Sequence, residues 1–237
     1  VLVIGSGFAG IAAAIAAREA GASVLVLEKM ERFGGNSAID SGEIAVVGSP
    51  QQQARGIRDS ARLLSDDLLA NGGYLNDRAK VKYLCEHSRG VYDWLTGLGV
   101  QWGPGLACAG GHSLPRIIFT RSCSGQDIHG PMLRRCLALG AELRNRCYVE
   151  RIIRGEEGER RAFGVVAREG YRFPDAASGA PRRIRAKKGI ILAYGGFAAD
   201  VNYRLRYDRR LTADIQTTNQ PGATGELWRE SERIGCQ

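Results

Sequence analysis

"VLVIGSGFAGIAAAIAAREAGASVLVLEK", Val1 to Lys29, decides the fold class. It reads as a strand over 1–4, a glycine turn carrying Gly5, Gly7 and Gly10, an alanine-rich helix with Arg18 and Glu19, a cap at Gly21, and a second strand that ends in Glu28 and Lys29. Alanine favours helix, glycine accepts a left-handed helix end, and a short unbroken apolar run suits a parallel strand buried on both faces. These pieces make a βαβ unit. The chain is therefore expected to be an α/β protein, Rossmann-like, with a parallel sheet flanked by helices.

The GxGxxG pattern is weak by itself, because glycine makes up 32 of the 237 residues. Its context strengthens it. The pattern lies between a strand and a helix, and Glu28 closes the next strand, where an acid can hydrogen-bond ribose hydroxyls. Bare amides at the helix start, aided by the helix dipole, can meet a pyrophosphate. A dinucleotide is expected, with nicotinamide and flavin both open at this point.

"GGNSAIDSG", residues Gly34 to Gly42, comes next, with no second helix before it. Paired glycines, an amide and hydroxyls make either an ordinary loop or backbone left bare for a large ligand. Glycine-rich stretches recur at 195 and 222. A cofactor of roughly 50 heavy atoms needs several separated backbone segments around it, which favours flavin over nicotinamide.

Elsewhere the spacing of Ile57, Ala61, Leu64, Leu68 and Leu69 predicts helix over 51–71, and Asn76 or Asp77 caps a helix that ends at Gly97 or Gly99. A further helix is expected over 124–140. "AELRNRCYVERIIR" holds two short strands or one bent one, about 150–188 reads as a small antiparallel β insertion, and "GIILAYGG" reads as a buried parallel strand.

A chain of 237 residues with 44% apolar content can build one large domain or two small ones. The formal charge is +8, with basic residues gathered at Arg134–Arg161 and Arg182–Lys188. Neither run is interleaved with aromatics, so both read as solvated faces and no nucleic-acid partner is expected. The six cysteines include no CxxC pair, which leaves zinc, iron–sulfur and c-type haem spacings without a match and predicts no metal site. No apolar run is long enough for a membrane span. The chain opens in a strand without an initiator methionine and ends at "SERIGCQ", so it reads as a portion of something longer whose compartment is unreadable.

Several segments in one order resemble the flavoprotein subunits of the fumarate reductase and succinate dehydrogenase family, above all its soluble flavocytochrome c type members: Val1–Lys29, "GGNSAIDSG", "LLANGGYLND", "GVYDWLTGLGVQW", "GGHSLPR", "GIILAYGGFAAD" and "TTNQPGATGE". The resemblance implies a bound FAD and covers essentially the whole chain as the N-terminal portion of an FAD-binding domain. It places Gly5, Gly7, Phe8, Ala9 and Gly10 at the pyrophosphate and Glu28 and Lys29 at the adenosine ribose. Gly34, Gly35, Asn36 and Ser37, with Ser41 and Gly42 after them, run past pyrophosphate, ribityl and flavin. Val149 presents backbone to adenine, Ala193, Gly195 and Gly196 pass the adenosine side, and Thr218, Asn219, Gly222, Ala223, Thr224, Gly225 and Glu226 lie near the isoalloxazine.

Departures from the family pattern also carry information. Members that attach flavin covalently use a histidine just after the Gly34–Ser37 position, where this chain has Ala38, Ile39 and Asp40, so noncovalent FAD is implied. Glu43 stands where glycine is usual, Tyr194 where a small residue or threonine is usual, and Glu226–Leu227 in place of Asp–Gly. For the intact protein the resemblance implies hydride transfer from flavin to a C=C bond conjugated to a carboxylate, with an arginine donating the proton. That arginine, the carboxylate-binding cations, the capping domain and the closing flavin segment have no counterpart here, so no catalytic residue is assigned and the fragment is expected to be inactive. His112, Arg116 and His129 read as structural rather than catalytic. The implied partners are a small unsaturated carboxylate and an electron donor that is a cytochrome or a reduced flavin or quinol carrier. A flavin dehydrogenase of the 3-ketosteroid type and a non-catalytic flavin or nucleotide binder are the alternatives.

Overall fold

The computed structural model describes residues 1–108, 110–155 and 161–236. In chain order its elements are β1 Leu2–Ile4, α1 Phe8–Glu19, β2 Leu25–Leu27, β3 Glu43–Ala45, α2 Pro50–Gln53, α3 Ala61–Asn71, α4 Arg78–Gly97, β4 Ile117–Phe119, α5 Gln126–Ala138, β5 Glu142–Arg144, β6 Cys147–Arg154, β7 Ala162–Glu169, β8 Ala180–Arg185, β9 Ile190–Leu192, α6 Val201–Arg204 and α7 Glu226–Arg233. They divide between two compact units, Val1–Ile39 with Met132–Gln237, and Asp40–Pro131.

The first unit holds a four-stranded parallel sheet ordered β5-β2-β1-β9 and an antiparallel sheet ordered β6-β7-β8. Register runs Leu2 to Leu25 on one side of β1 and Leu2 to Ile190 on the other. Every residue of β1 is buried, as an interior parallel strand must be when its faces are covered. A core cluster of Leu2, Ile4, Leu27, Val149, Ile152 and Val165 joins side chains from both sheets. The mixed α/β architecture, with a parallel sheet flanked by helices and a small antiparallel sheet, is as the sequence leads one to expect. Residues 156–160 of the expected insertion lie outside the described residues.

"AELRNRCYVERIIR" makes two strands in different sheets. Arg146, at φ 47°, turns the chain between them, and the Cys147 N–H donates to the Glu28 carbonyl at 2.8 Å. The terminal parallel strand spans three residues, because the chain leaves the ladder as it enters the glycines after Leu192.

In the second unit β3 pairs antiparallel with β4, and α3 packs on α4. The 51–71 segment is two helices rather than one. Gly56 takes φ 67°, which ends the first, and the Ser60 hydroxyl accepts the Leu63 N–H at 3.1 Å to start the second. Asp77 caps α4 as expected, accepting from Ala79 and Lys80.

Candidate functional site

A cleft walled mainly by apolar surface lies wholly within the first unit, at the carboxyl ends of β1, β2 and β9. It holds about 980 Å³ of unfilled space, its solvent-filled mouth included. Crevices beyond the carboxyl ends of parallel strands are where such sheets bind ligands.

Its floor is the glycine turn. Gly5 takes φ 102°, and a β-carbon there would clash with the Ala193 carbonyl. A β-carbon on Gly10 would clash with the Gly5 carbonyl, so Gly10 lets the start of α1 pack onto the turn without itself facing the cleft. Gly7 is the N-cap of α1 and has no side chain to cover the first turn, where the Phe8 N–H donates to the Ser37 hydroxyl at 3.0 Å.

One wall is set by Glu28, only 7% exposed. Its Oε2 accepts the Ser6 hydroxyl at 2.6 Å and the Ser6 N–H at 3.2 Å, and its Oε1 accepts the Met30 N–H at 2.9 Å. Two carboxylate oxygens offer about four acceptor sites, so Glu28 keeps capacity for a ligand hydroxyl. Ser6 Oγ also accepts the Gly34 N–H at 2.9 Å, which fastens the 34–37 segment to the turn.

Gln220, Gly222, Ala223, Thr224 and Glu226 add a further wall. Asn36 ties into it twice: its amide donates to the Asn219 side chain, and its Oδ1 accepts the Gln220 N–H at 2.8 Å. Lys29 donates to the Thr224 hydroxyl and reaches Glu226 at 3.3 Å, while Thr224 donates to Glu226. Lys29 and Thr224, implied by resemblance to attend opposite ends of the flavin, are thus in direct contact.

Gly5, Gly7, Phe8, Ala9, Glu28, Lys29 and the four residues Gly34 to Ser37 all line the cleft. So do Val149, Ala193, Gly195, Gly196, Gly222, Ala223, Thr224 and Glu226. Gly10, Thr218, Asn219 and Gly225 do not. Thr218 is exposed, Asn219 acts through Asn36, and a β-carbon on Gly225 would run into the Tyr203 ring. Ser41 and Gly42 belong to the second unit, where Gly42 gives β-carbon room to Thr120 and the Ser124 carbonyl.

The sequence reading did not assign Ser6, Tyr148 or Gln220 to the site, yet all three line it. Tyr148 stacks on Tyr171 with centroids 4.8 Å apart, and burial, reinforced by the charge of Glu226, pushes its phenol up to about 12. Tyr194 also lines the cleft; its hydroxyl is 2.9 Å from Ser231 Oγ, and the Trp228 indole donates to the Gly195 carbonyl at 3.1 Å. Helix α7 thereby anchors the chain leaving β9. The only one-dimensional signal for Ser6 is its place between two glycines of the turn.

Arg116 lies in the second unit, fully buried, between Asp59 and Asp67. Burial pushes both carboxyls up, but hydrogen bonds from Arg116, with those from Gln52 and Ser60 to Asp59 and from Ser113 to Asp67, outweigh it and hold both low. Burial and the neighbouring Arg116 lower the pKa of His112. His129 is buried on α5. Among the described residues no group of three or more His, Cys, Asp or Glu side chains could hold a metal, and no helix is long and apolar enough to cross a membrane.

Comparison with known proteins agrees with this geometry. The family described as "FAD binding domain" matches residues 1–237. The chain is 42% identical over 237 residues to the acrylate reductase flavoprotein subunit of Shewanella woodyi, covering all of this chain and 46% of that protein, so it spans under half of that relative's length. Among solved structures it is similar to the open conformation of a flavocytochrome c3 fumarate reductase, with TM-score 0.90 and 28% identity over all of this chain and 40% of that one. It is also similar to a 3-ketosteroid-Δ4-(5α)-dehydrogenase from Rhodococcus jostii RHA1, with TM-score 0.88 and 26% identity over all of this chain and 53% of that one.

The cleft residues fit FAD. The turn leaves backbone bare where β-carbons would clash, the first turn of α1 has no cap side chain on Gly7, and a β-carbon added at Gly195 or Gly196 would meet nothing within 4 Å.

Proposed function

The chain belongs to the FAD binding domain family, and on that premise we propose that residues 1–237 are the N-terminal FAD-holding portion of a fumarate-reductase-like oxidoreductase. The observation that carries this reading is one cleft that unites the glycine turn, Glu28, the 34–37 segment, the 193–196 glycines and the 222–226 loop.

In this reading the amides at the start of α1 face the pyrophosphate with the positive end of the helix dipole behind them. Glu28 accepts ribose hydroxyls while Ser6 and the Met30 N–H hold its carboxylate in place. Val149 offers backbone to the adenine, and Asn36 holds the 219–220 backbone over the cleft. With Ala38, Ile39 and Asp40 following Ser37, the flavin is held without a covalent bond.

A flavin held by this cleft would supply the hydride for reducing a C=C bond conjugated to a carboxylate. Cationic side chains elsewhere in the intact protein hold that carboxylate, and one of them protonates the adjacent carbon. The substrate is a small unsaturated carboxylate, as the names of the acrylate and fumarate reductase relatives suggest. The electron donor is a cytochrome or a reduced carrier, and these residues alone do not turn over substrate.

The test is to purify the chain, incubate it with FAD, remove free flavin and record the visible spectrum. A flavin spectrum retained by the wild type and weakened by Glu28→Ala supports the reading, and a colourless protein overturns it. The similarity to the steroid dehydrogenase supports a second reading, in which the intact protein oxidises a C–C bond next to a ketone. Assaying the intact protein in both directions, with acrylate plus reduced donor and with a 3-ketosteroid plus oxidant, separates the two.

A further inference from the structure

The two basic runs of the sequence, 134–161 and 182–188, are far apart in the chain but meet on the antiparallel sheet. Arg151 on β6 pairs in register with Val166 on β7, and Val166 pairs with Arg183 on β8. Register partners share a face, so the two arginines stand on either side of Val166, two strand spacings or about 10 Å apart. Between them is a concave pocket with about 710 Å³ of unfilled space, mouth included, whose other lining includes Arg154 and Arg233 and, among the described residues, no acidic one.

The charges of this pocket are not paired as elsewhere on the same sheet. Arg168 pairs with Glu150 and Arg182 with Glu169, and Glu169 also takes Arg144 from β5 of the parallel sheet. Among the described residues Arg151 and Arg183 form no salt bridge, although the charge of Arg151 acts on Glu230 through space, and Arg154 spends one donor on the Ile234 carbonyl at 2.9 Å. The carboxylate beside the pocket, Glu230, is already committed: Arg233 holds both its oxygens at 2.6 Å, and Oε1 also accepts the Ile152 N–H at 2.6 Å. Among the described residues, Arg151, Arg154 and Arg183 therefore line one hollow with no side-chain ion pair of their own.

The geometry points to a binding site for a small polyanion, a molecule with two or more phosphate or carboxylate groups, bridged by the guanidiniums of Arg151 and Arg183. Two planar forks facing a shared hollow suit bidentate capture of oxyanions, which lysines would hold only as point charges. The site shares no lining residue with the FAD cleft, although β6 and α7 serve both: Val149 and Glu226 line the cleft, Arg151 and Arg233 the pocket.

Calorimetric titration of pyrophosphate and of citrate, at low ionic strength, into protein loaded with FAD and then desalted to remove free FAD tests this. The FAD held in the cleft keeps the probes out of it, and no free FAD competes for the pocket. The expected result is saturable binding of at least one probe, weakened at least about tenfold in Arg151→Gln/Arg183→Gln and by no more than about twofold in Arg182→Gln, whose side chain is exposed on the same sheet and paired with Glu169. Binding of pyrophosphate alone assigns the site to phosphates, and binding of citrate alone assigns it to carboxylates. No saturable heat from either probe, equal affinity in the double variant, or a loss as large in Arg182→Gln overturns the proposal. All three substituted side chains are exposed, and a circular dichroism spectrum matching the wild type confirms that the variants fold.

Discussion

Replacing Arg116 by methionine tests whether its buried charge network holds the second unit together or serves the cofactor. The guanidinium donates through Nε and Nη2 to the two Asp59 oxygens, at 2.8 and 2.9 Å, and through Nη1 to Asp67. Methionine keeps an unbranched apolar stem and removes the cation. Asp59 then retains the Gln52 amide and the Ser60 N–H, and Asp67 retains the N–H and hydroxyl of Ser113. Removing one partner from a buried ion pair costs about 3–5 kcal/mol, and the 11% exposure of the Asp67 side chain points to the lower end, about 3 kcal/mol. That is a large share of a domain's total of about 5–15 kcal/mol.

The loss also depends on pH. In the wild type both carboxyls sit below their unfolded pKa values, so the folded state binds fewer protons. Their contribution is complete above the ordinary carboxylate range and fades as pH falls through the lowered folded values. Without Arg116, burial pushes both carboxyls up, so the gap between variant and wild type narrows from pH 7 toward about pH 4. Urea unfolding followed by Trp94 and Trp102 fluorescence, in a Trp228→Phe background, reads this unit. Arg116 does not line the cleft, so FAD affinity stays within about twofold. A loss below about 1 kcal/mol at pH 7, or one equal at both pH values, refutes the reasoning.

Asp77→Ala removes the side-chain cap of α4 and is expected to lower the urea midpoint at unchanged slope. A thiol reagent near neutral pH should react rapidly with the exposed Cys108, Cys123 and Cys236 and slowly with Cys85, Cys136 and Cys147, where burial raises the pKa, to about 11 for Cys147; mass spectrometry of the labelled peptides checks this. Glu226→Gln leaves burial as the chief cause raising the Tyr148 pKa and removes the second, so part of the tyrosinate absorbance should appear at lower pH than in the wild type.

The βαβ start was legible because its signals are local. Gly10 is forced by the Gly5 carbonyl within the turn and Gly5 by the Ala193 carbonyl just after β9, and the apolar runs on either side have no other stable use than buried parallel strands. The cap at Asn76 or Asp77 was readable for the same reason, whereas "AELRNRCYVERIIR" stayed open between two strands and one bent strand until Arg146 was seen to turn the chain between two sheets. The break at 54–60 was not, because the apolar spacing of 57–69 continues the helical period through a glycine that the fold places at positive φ.

The sequence by itself determined the fold class, the glycine turn with Glu28, and a family resemblance that brought FAD with it. Tertiary structure alone decided which residues meet. Ser6 could be seen to hold both Glu28 and Gly34 only once two loops came within hydrogen-bond reach. Lys29 met Thr224 across 195 residues, and Arg116 met Asp59 across 57. Arg151 and Arg183 read as parts of two separate solvated runs until strand register placed them beside one valine. The physical reason is the same in each case. Propensity and periodicity act over a few residues, whereas charge pairing and burial depend on contacts whose chain separation no local pattern encodes.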